Sequence, residues 1–301
     1  MRSSSAARLT IRLLAFCLVV GCVGEANAQQ PSKVFTFWDV SAQSFQEGEV
    51  FDNFERAFVV PDKVKRLAIQ SAEPGMKHLP ARLGSLVNLE VLEISCLEQL
   101  EDLPEEIGEL RKLEELIIDN GNGCSMNVSL PRSIGQLGNL RVLRLYGALD
   151  PREIGLEKSA RRAKSKSLPE TLSNLRKLEE LDLGRNGLRS IPPQIASLRR
   201  LKRLGLDYNN LREIPSFVGN LTSLKELSLR SNGGVNLPAP LGRLNGLHVS
   251  MGNNALTLKE QKQLRSRFPK LVFSFDNEFD DSAANEEPAG RKPKARRGRK
   301  R

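Results

Sequence analysis

A proline preceded by leucine or isoleucine recurs along this chain, with pairs starting at Leu79, Leu103, Leu130, Leu168, Ile191, Ile214 and Leu237. The first three intervals are 24, 27 and 38 residues, and the last three are 23 each. A period of this length gives one small supersecondary unit per turn, which cannot bury its own apolar side and must stack on its neighbours. One full turn reads IPPQIASLRRLKRLGLDYN from Ile191 to Asn209. Leu204 and Leu206 alternate with Gly205 and Asp207, the period-2 pattern of a short strand with one face in a core. The proline has a fixed φ and no N–H, so it belongs in a turn outside the sheet. Ile195 and Leu198 then tuck inward from a short helical or irregular segment. Aromatic residues are only 5% of the chain, so the core is built from layers of aliphatic side chains.

Stacked turns place their strands side by side in a parallel sheet, at about 4.8 Å spacing. Asn186, Asn209, Asn232 and Asn254 fall three residues after the last strand leucine, or after Met251 in its place. An amide there both donates to and accepts from the backbone of a bend that lacks sheet bonds, which makes these four a structural ladder. The same position holds Leu97, Gly121 and Ala148 in the three preceding repeats, whose bends must be satisfied in another way. These residues resemble the leucine-rich-repeat family, in its 23-residue LPxxIGxLxxLxxLxLxxNxL form, over about residues 61–277. The nearest likeness is to plant intracellular Ras-group and Shoc2-like repeats. The resemblance implies an α/β solenoid, a horseshoe with a concave parallel sheet of about 8–9 short strands and capped ends, whose role is protein binding.

The boundaries expected are a signal peptide over 1–28, an N-terminal cap over 29–60, the solenoid over 61–277 and a tail over 278–301. The 38-residue interval places an insertion at about 147–167, including the basic run Lys158 to Lys166. Phe51, Phe54 and Phe58 fit one face of a short helix in the N-terminal cap, where Trp38 also packs. A helix over Leu258 to Phe268 and a strand from Leu271 to Phe275 close the other end.

The formal charge of +10 suggests nucleic acid until it is divided along the chain. Arg2, Arg8 and Arg12 against Glu25 give the first 28 residues +2, and residues 290–301 carry eight basic side chains, so the remaining 261 residues sum to zero. A neutral body argues against a nucleic-acid face, and no specific nucleic acid is expected. The N-terminal segment has a basic start, an apolar run from Leu13 to Val23 and Ala26-Asn27-Ala28, the pattern of a secretory signal cleaved after Ala28. Val19-Val20-Gly21-Cys22 also resembles a lipobox, so lipidation of Cys22 competes with that cut. Either route exports the protein to the medium, the periplasm or the envelope; without a working signal it would be cytoplasmic. The apolar run is too short for a transmembrane helix. The acidic stretch Phe279 to Pro288 and the basic stretch from Gly290 to Arg301 are expected to remain disordered. The basic stretch offers loose attraction to an anionic envelope surface.

Chemistry is hard to find. His78 and His248 stand far apart with no ligand partner at metal spacing, and neither a phosphate loop nor a nucleophile elbow occurs. No catalytic residue, metal or cofactor is expected. Cys96 and Cys124 follow the strands of consecutive turns, a separation compatible with a disulfide. Asn127-Val-Ser129 and Asn220-Leu-Thr222 match the glycosylation triplet, but the second also fills the repeat template. Outward strand positions form two columns across the sheet: Glu93, Ile117, Arg144, Asp182, Gly205, Ser228, and Ser95, Asp119, Tyr146, Gly184, Asp207, Arg230. Ile117, Arg144 and Tyr146 stand together beside the insertion, the composition of an interface hot spot. With Asp119, Asp182, Asp207 and Arg230 they form the candidate partner site, and the flanking acids Glu93, Glu115, Asp119, Glu180 and Asp182 favour a partner with basic or polar groups. The function expected is recognition of a protein or surface polymer. The alternative is a structural envelope lipoprotein anchored through Cys22 or the basic tail.

Overall fold

The computed structural model describes residues 50–70, 76–97, 99–120, 127–149 and 167–275. The signal segment with Cys22, Trp38, Cys124, the body of the insertion and the acidic and basic tail lie outside the described residues.

Ten parallel strands follow one another in chain order in a single open sheet. They are β1 (Val50–Phe51), β2 (Arg66–Gln70), β3 (Val91–Ser95), β4 (Glu115–Asp119), β5 (Val142–Tyr146), β6 (Glu180–Asp182), β7 (Arg203–Gly205), β8 (Glu226–Ser228), β9 (His248–Ser250) and β10 (Val272–Ser274). The register threads one inward residue per strand, from Phe51 and Leu67 through Leu92, Leu116, Leu143, Leu181, Leu204 and Leu227 to Val249 and Phe273. All of these are buried, which makes the core a stack of aliphatic layers closed at each end by a phenylalanine. Each fully buried leucine contributes about 2 kcal/mol of transfer free energy.

After each Leu-Pro or Ile-Pro pair the chain makes a five-residue 3-10 turn, as in Glu105–Glu109, Pro193–Ser197 and Ser216–Asn220. The proline supplies the extended residue before the turn, and its carbonyl accepts the first turn bond, as Pro192 does from Ile195 at 3.2 Å. The glycine of the Ile-Gly or Val-Gly step exists for space. A Cβ on Gly219 would lie 2.5 Å from the backbone carbon of Pro240 in the next turn, so a side chain there would force adjacent turns apart.

The N-terminal end departs from expectation in one respect. Phe51 lies on β1, not on the helix, and only Phe54 and Phe58 share α1 (Phe54–Val59), with rings stacked at 5.7 Å. A two-residue strand is too short to show a period, which is why the sheet holds ten strands and not eight or nine. At the other end α2 (Leu258–Arg267) starts with a capping box between Thr257 and Glu260. Phe268, Phe273 and Phe275 then cover the last aliphatic layer.

After β3 and after β5 to β9 the chain passes through a left-handed residue: Cys96, Gly147, Arg185, Tyr208, Ser231 and Asn253 have φ between 54° and 65°. For a residue with a Cβ this conformation costs about 1–2 kcal/mol. In the C-terminal turns the following asparagine holds the bend. Asn209 Nδ2 donates to the carbonyls of Leu183, Leu206 and Asp207 at 3.0, 2.9 and 3.2 Å, and its Oδ1 accepts from the N–H groups of Asn186 and Leu188. Asn232 and Asn254 repeat the arrangement. The turn with Ala148 in this position is served by its neighbour: Asn186 Nδ2 donates to Leu145 O at 2.7 Å and its Oδ1 accepts from Leu149 N at 2.8 Å. Asn120, one residue before Gly121, is buried and donates to Gly147 O at 2.9 Å. Cys96 is disulfide-bonded, and no second cysteine occurs among the described residues.

Candidate functional site

The concave face is read from three outward rows. Ile117, Arg144, Asp182, Gly205 and Ser228 pair in register across β4 to β8, and Asp119 pairs with Tyr146. A third row runs Val142, Glu180, Arg203 and Glu226. The residues singled out from the sequence therefore share one surface, although they are not equally available on it.

Glu180 and Asp182 are buried despite lying on the outward side of an open sheet. The side chains that bury Glu180 come from the strands on either side. Arg144 Nε donates to Glu180 Oε1 at 2.6 Å, while Arg203 donates to Oε2 through Nε at 2.8 Å and also through Nη2. The Glu180 side chain is 1% exposed and that of Arg144 only 12%. Two guanidinium groups thus close over one carboxylate, and removing any member leaves a desolvated charge without its partner. Neither acid is open to a basic partner in the way the alternating pattern suggested, because a strand residue is exposed only if its lateral neighbours leave it so.

Asp182 lies one step further along β6. Its Oδ1 accepts from Gly184 N–H at 2.8 Å, a local bond that turns the carboxyl along its own strand. Burial pushes its pKa up to about 7, against the opposing pull of the Gly184 bond, and Asp207 adds to the rise. The ring of Tyr146 lies over the next turn: a Cβ on Gly184 would meet its Cδ2 at 2.7 Å and its Cε2 at 2.8 Å. Glycine at 184 is thus the seat of the tyrosine, and burial pushes the phenol up to about 12. Asp207 Oδ1 accepts from Ser228 Oγ at 2.6 Å and from Arg230 N–H at 2.8 Å, which fixes the bend between β7 and β8. Ile117 is half-buried between Glu93 and Arg144. Burial, then the nearby Asp119, raises the carboxyl of Glu93 above its ordinary range.

Sequence reasoning placed Glu180 only among the flanking acids and missed Arg203. The signal was the row Val142, Glu180, Arg203, which becomes legible once the strand register is fixed. His78 pairs with Asp102 at 2.9 Å on an exposed edge, away from these rows. Among the described residues, no group of three His, Cys, Asp or Glu side chains is placed to hold a metal ion, and no helix is long and apolar enough to cross a membrane.

Residues 154–271 match the family model of a leucine-rich repeat region. No curated protein matches the chain. Among solved structures, it is similar to a leucine-rich-repeat protein of Leptospira interrogans, at 24% identity and a TM-score of 0.44, over 76% of this chain and 70% of the other. It is also similar to internalin C2 of Listeria monocytogenes, at 19% identity and a TM-score of 0.43, over 64% of this chain and 83% of the other. The Listeria monocytogenes protein InlP matches at 21% identity and a TM-score of 0.47, over 64% of this chain and 49% of the other. Residues 154–271 are thus a leucine-rich repeat region, and the 23-residue period and the one-strand-per-turn parallel sheet give the described residues the fold of an open leucine-rich-repeat solenoid.

Proposed function

We propose that this is an exported, non-catalytic binding protein that recognises a protein or surface polymer through its concave face, around Ile117, Asp119, Arg144, Tyr146, Asp182, Asp207 and Arg230. The observation that carries this reading is the rigidity of side chains on an open sheet. Arg144 and Arg203 are locked on Glu180, Tyr146 is seated on Gly184, and Asp207 is held by two donors from the next turn. Side chains already fixed in one geometry lose little entropy when a partner arrives, the usual condition for a tight interface. Tyr and Arg are also the residue types that dominate interface energies. Export rests on the segment ending at Ala28, and mass spectrometry of the mature N-terminus tests it: a retained residue 1 refutes the signal.

The binding reading is tested by affinity capture from the native envelope or medium, with wild type and the Arg144→Ala/Tyr146→Ala double variant at equal folded concentration. Loss of the captured partner in the double variant is the expected result. Recovery of the same partner by both proteins would remove the concave face as the site.

A further inference from the structure

The neutrality of the body is a sum over unlike ends. From Ala239 to Phe275 the chain carries Arg243, Lys259, Lys262, Arg265, Arg267 and Lys270 against a single acid, Glu260, a surplus of five positive charges. All six basic residues are exposed. Glu260 is committed to the Thr257 capping box, β9 and β10 hold no acid, and Glu226, on β8, is two strands from the end. Like charges gathered on one cap repel one another and draw in a segment of opposite sign. The same end is apolar where it faces outward along the axis. β10 is the last strand, so its outer edge has no strand partner among the described residues, and Val272 on it is 53% exposed. Arg265 lies over the ring of Phe275, the last described residue, at 5.2 Å. Lys262 and Leu258 stand three and seven residues before Arg265 on the same side of α2, and Leu258 is 55% exposed. An open sheet edge beside an exposed leucine is a terminus that a repeat array needs covered.

We infer that the occupant of this end is the chain's own acidic segment, residues 276–287, with Phe279 packed on Leu258 and the flanking carboxylates on Lys262 and Arg265. The segment carries six acids, Asp276, Glu278, Asp280, Asp281, Glu286 and Glu287, and no basic side chain. It starts at the residue that Arg265 covers, so no search is needed to bring the two together. The tether also has the right length. From Phe275 to Phe279 an extended chain spans at most about 14 Å, and Leu258 stands about 10 Å along the helix axis from Arg265. Six acids against a surplus of five leave the covered end near neutral. The basic residues 290–301 have the sign of the cap and do not compete for it. Docking of the acids thus neutralises the end of the solenoid and leaves the basic stretch leading away from it.

The test is carbodiimide cross-linking of the full chain at low concentration, which joins a carboxylate directly to a lysine amine in contact with it, read by mass spectrometry. A mixture of unlabelled and isotope-labelled protein separates links within one chain from links between two. The expected result is a link within one chain from Lys262 to a carboxylate of residues 278–281. Its yield should fall about fivefold in Phe279→Ser, which removes the apolar contact and leaves every charge in place. Leu258→Ser removes the other side of that contact and should give the same loss, and thermal melts confirm that each variant is folded. Equal yields in wild type and both variants overturn the inference, because the segment is then merely tethered beside the lysine. Links from these acids to Lys292, Lys294 or Lys300 in place of Lys262 overturn it too, since the acids then pair with the basic stretch that follows them. Links between labelled and unlabelled chains would make a second copy the occupant. The concave-face reading stands apart from all of these outcomes, since its capture experiment alters neither Leu258 nor Phe279.

Discussion

Replacing Asp182 with asparagine should make the protein more stable at neutral pH. The carboxyl is almost wholly buried, one oxygen accepts a backbone N–H, and burial lifts its pKa from 3.8 to about 7. The native state therefore holds this proton about three pH units more tightly than the unfolded chain, and each unit is worth about 1.4 kcal/mol. Below pH 3.8 both states are protonated and the native state bears no charge penalty. As pH rises toward 7 the unfolded chain ionises while the native carboxyl does not, so stability is lost until the native carboxyl ionises too. The accumulated loss is about 4 kcal/mol on this arithmetic. Asparagine keeps an oxygen for Gly184 N–H and carries no charge at any pH. The assay is urea unfolding of wild type and Asp182→Asn at intervals from pH 4.5 to 8. The advantage of the variant should grow by several kcal/mol across that window and level off above pH 7. A difference that stays flat with pH would show that the carboxyl is solvated in the folded protein, and the account of Tyr146 covering this region would fall with it.

Three further outcomes follow from particular contacts. Asn232→Ala removes three donated bonds, to Leu206, Leu229 and Arg230, and the acceptor for Leu211 N–H. It should cost about 2–4 kcal/mol in urea unfolding, whereas an exposed Asn210→Ala should cost almost nothing. Gly184→Ala should destabilise by about 1–3 kcal/mol because its Cβ displaces the Tyr146 ring, and that cost should largely vanish in a Tyr146→Ala background, as a double-mutant cycle reads directly. Gly219→Ala meets backbone, not a mobile side chain, so no single partner substitution should rescue it, and its loss in thermal melting should persist with Pro240→Ala.

Much of the fold was legible because a solenoid writes its geometry at a fixed period. The spacing of Leu204 and Leu206 identified strand and face, and the interval from one turn to the next identified which residues lie side by side. The bends lacking asparagine were harder to read. Asn186 answers for the turn of Ala148 from the next turn along, and a disulfide at Cys96 belongs to the turn of Leu97. Neither solution is periodic. The strand positions of the candidate residues were legible, and their exposure was less so. Alternation along one strand predicts that Glu180 points outward, and it does; whether it meets solvent depends on the lengths of Arg144 and Arg203 on the strands beside it. Side-chain reach between strands carries no period, so it becomes visible only when the coordinates set the neighbours together.

Asn186 has a consequence for how this protein can change. Its amide ties the last residues before the long interval, Leu145 and Leu149, to the first complete turn after it. The two flanks are thus joined in register by this side chain together with the β5–β6 pairing and the Gly147 N–H bond to Gly184 O, whatever length of chain connects them by the longer route. The segment between Leu149 and Ser167 is accordingly a place where sequence can be lengthened, shortened or exchanged while the frame on either side keeps its alignment. A loop of new specificity could be grafted there without rebuilding the scaffold on either side.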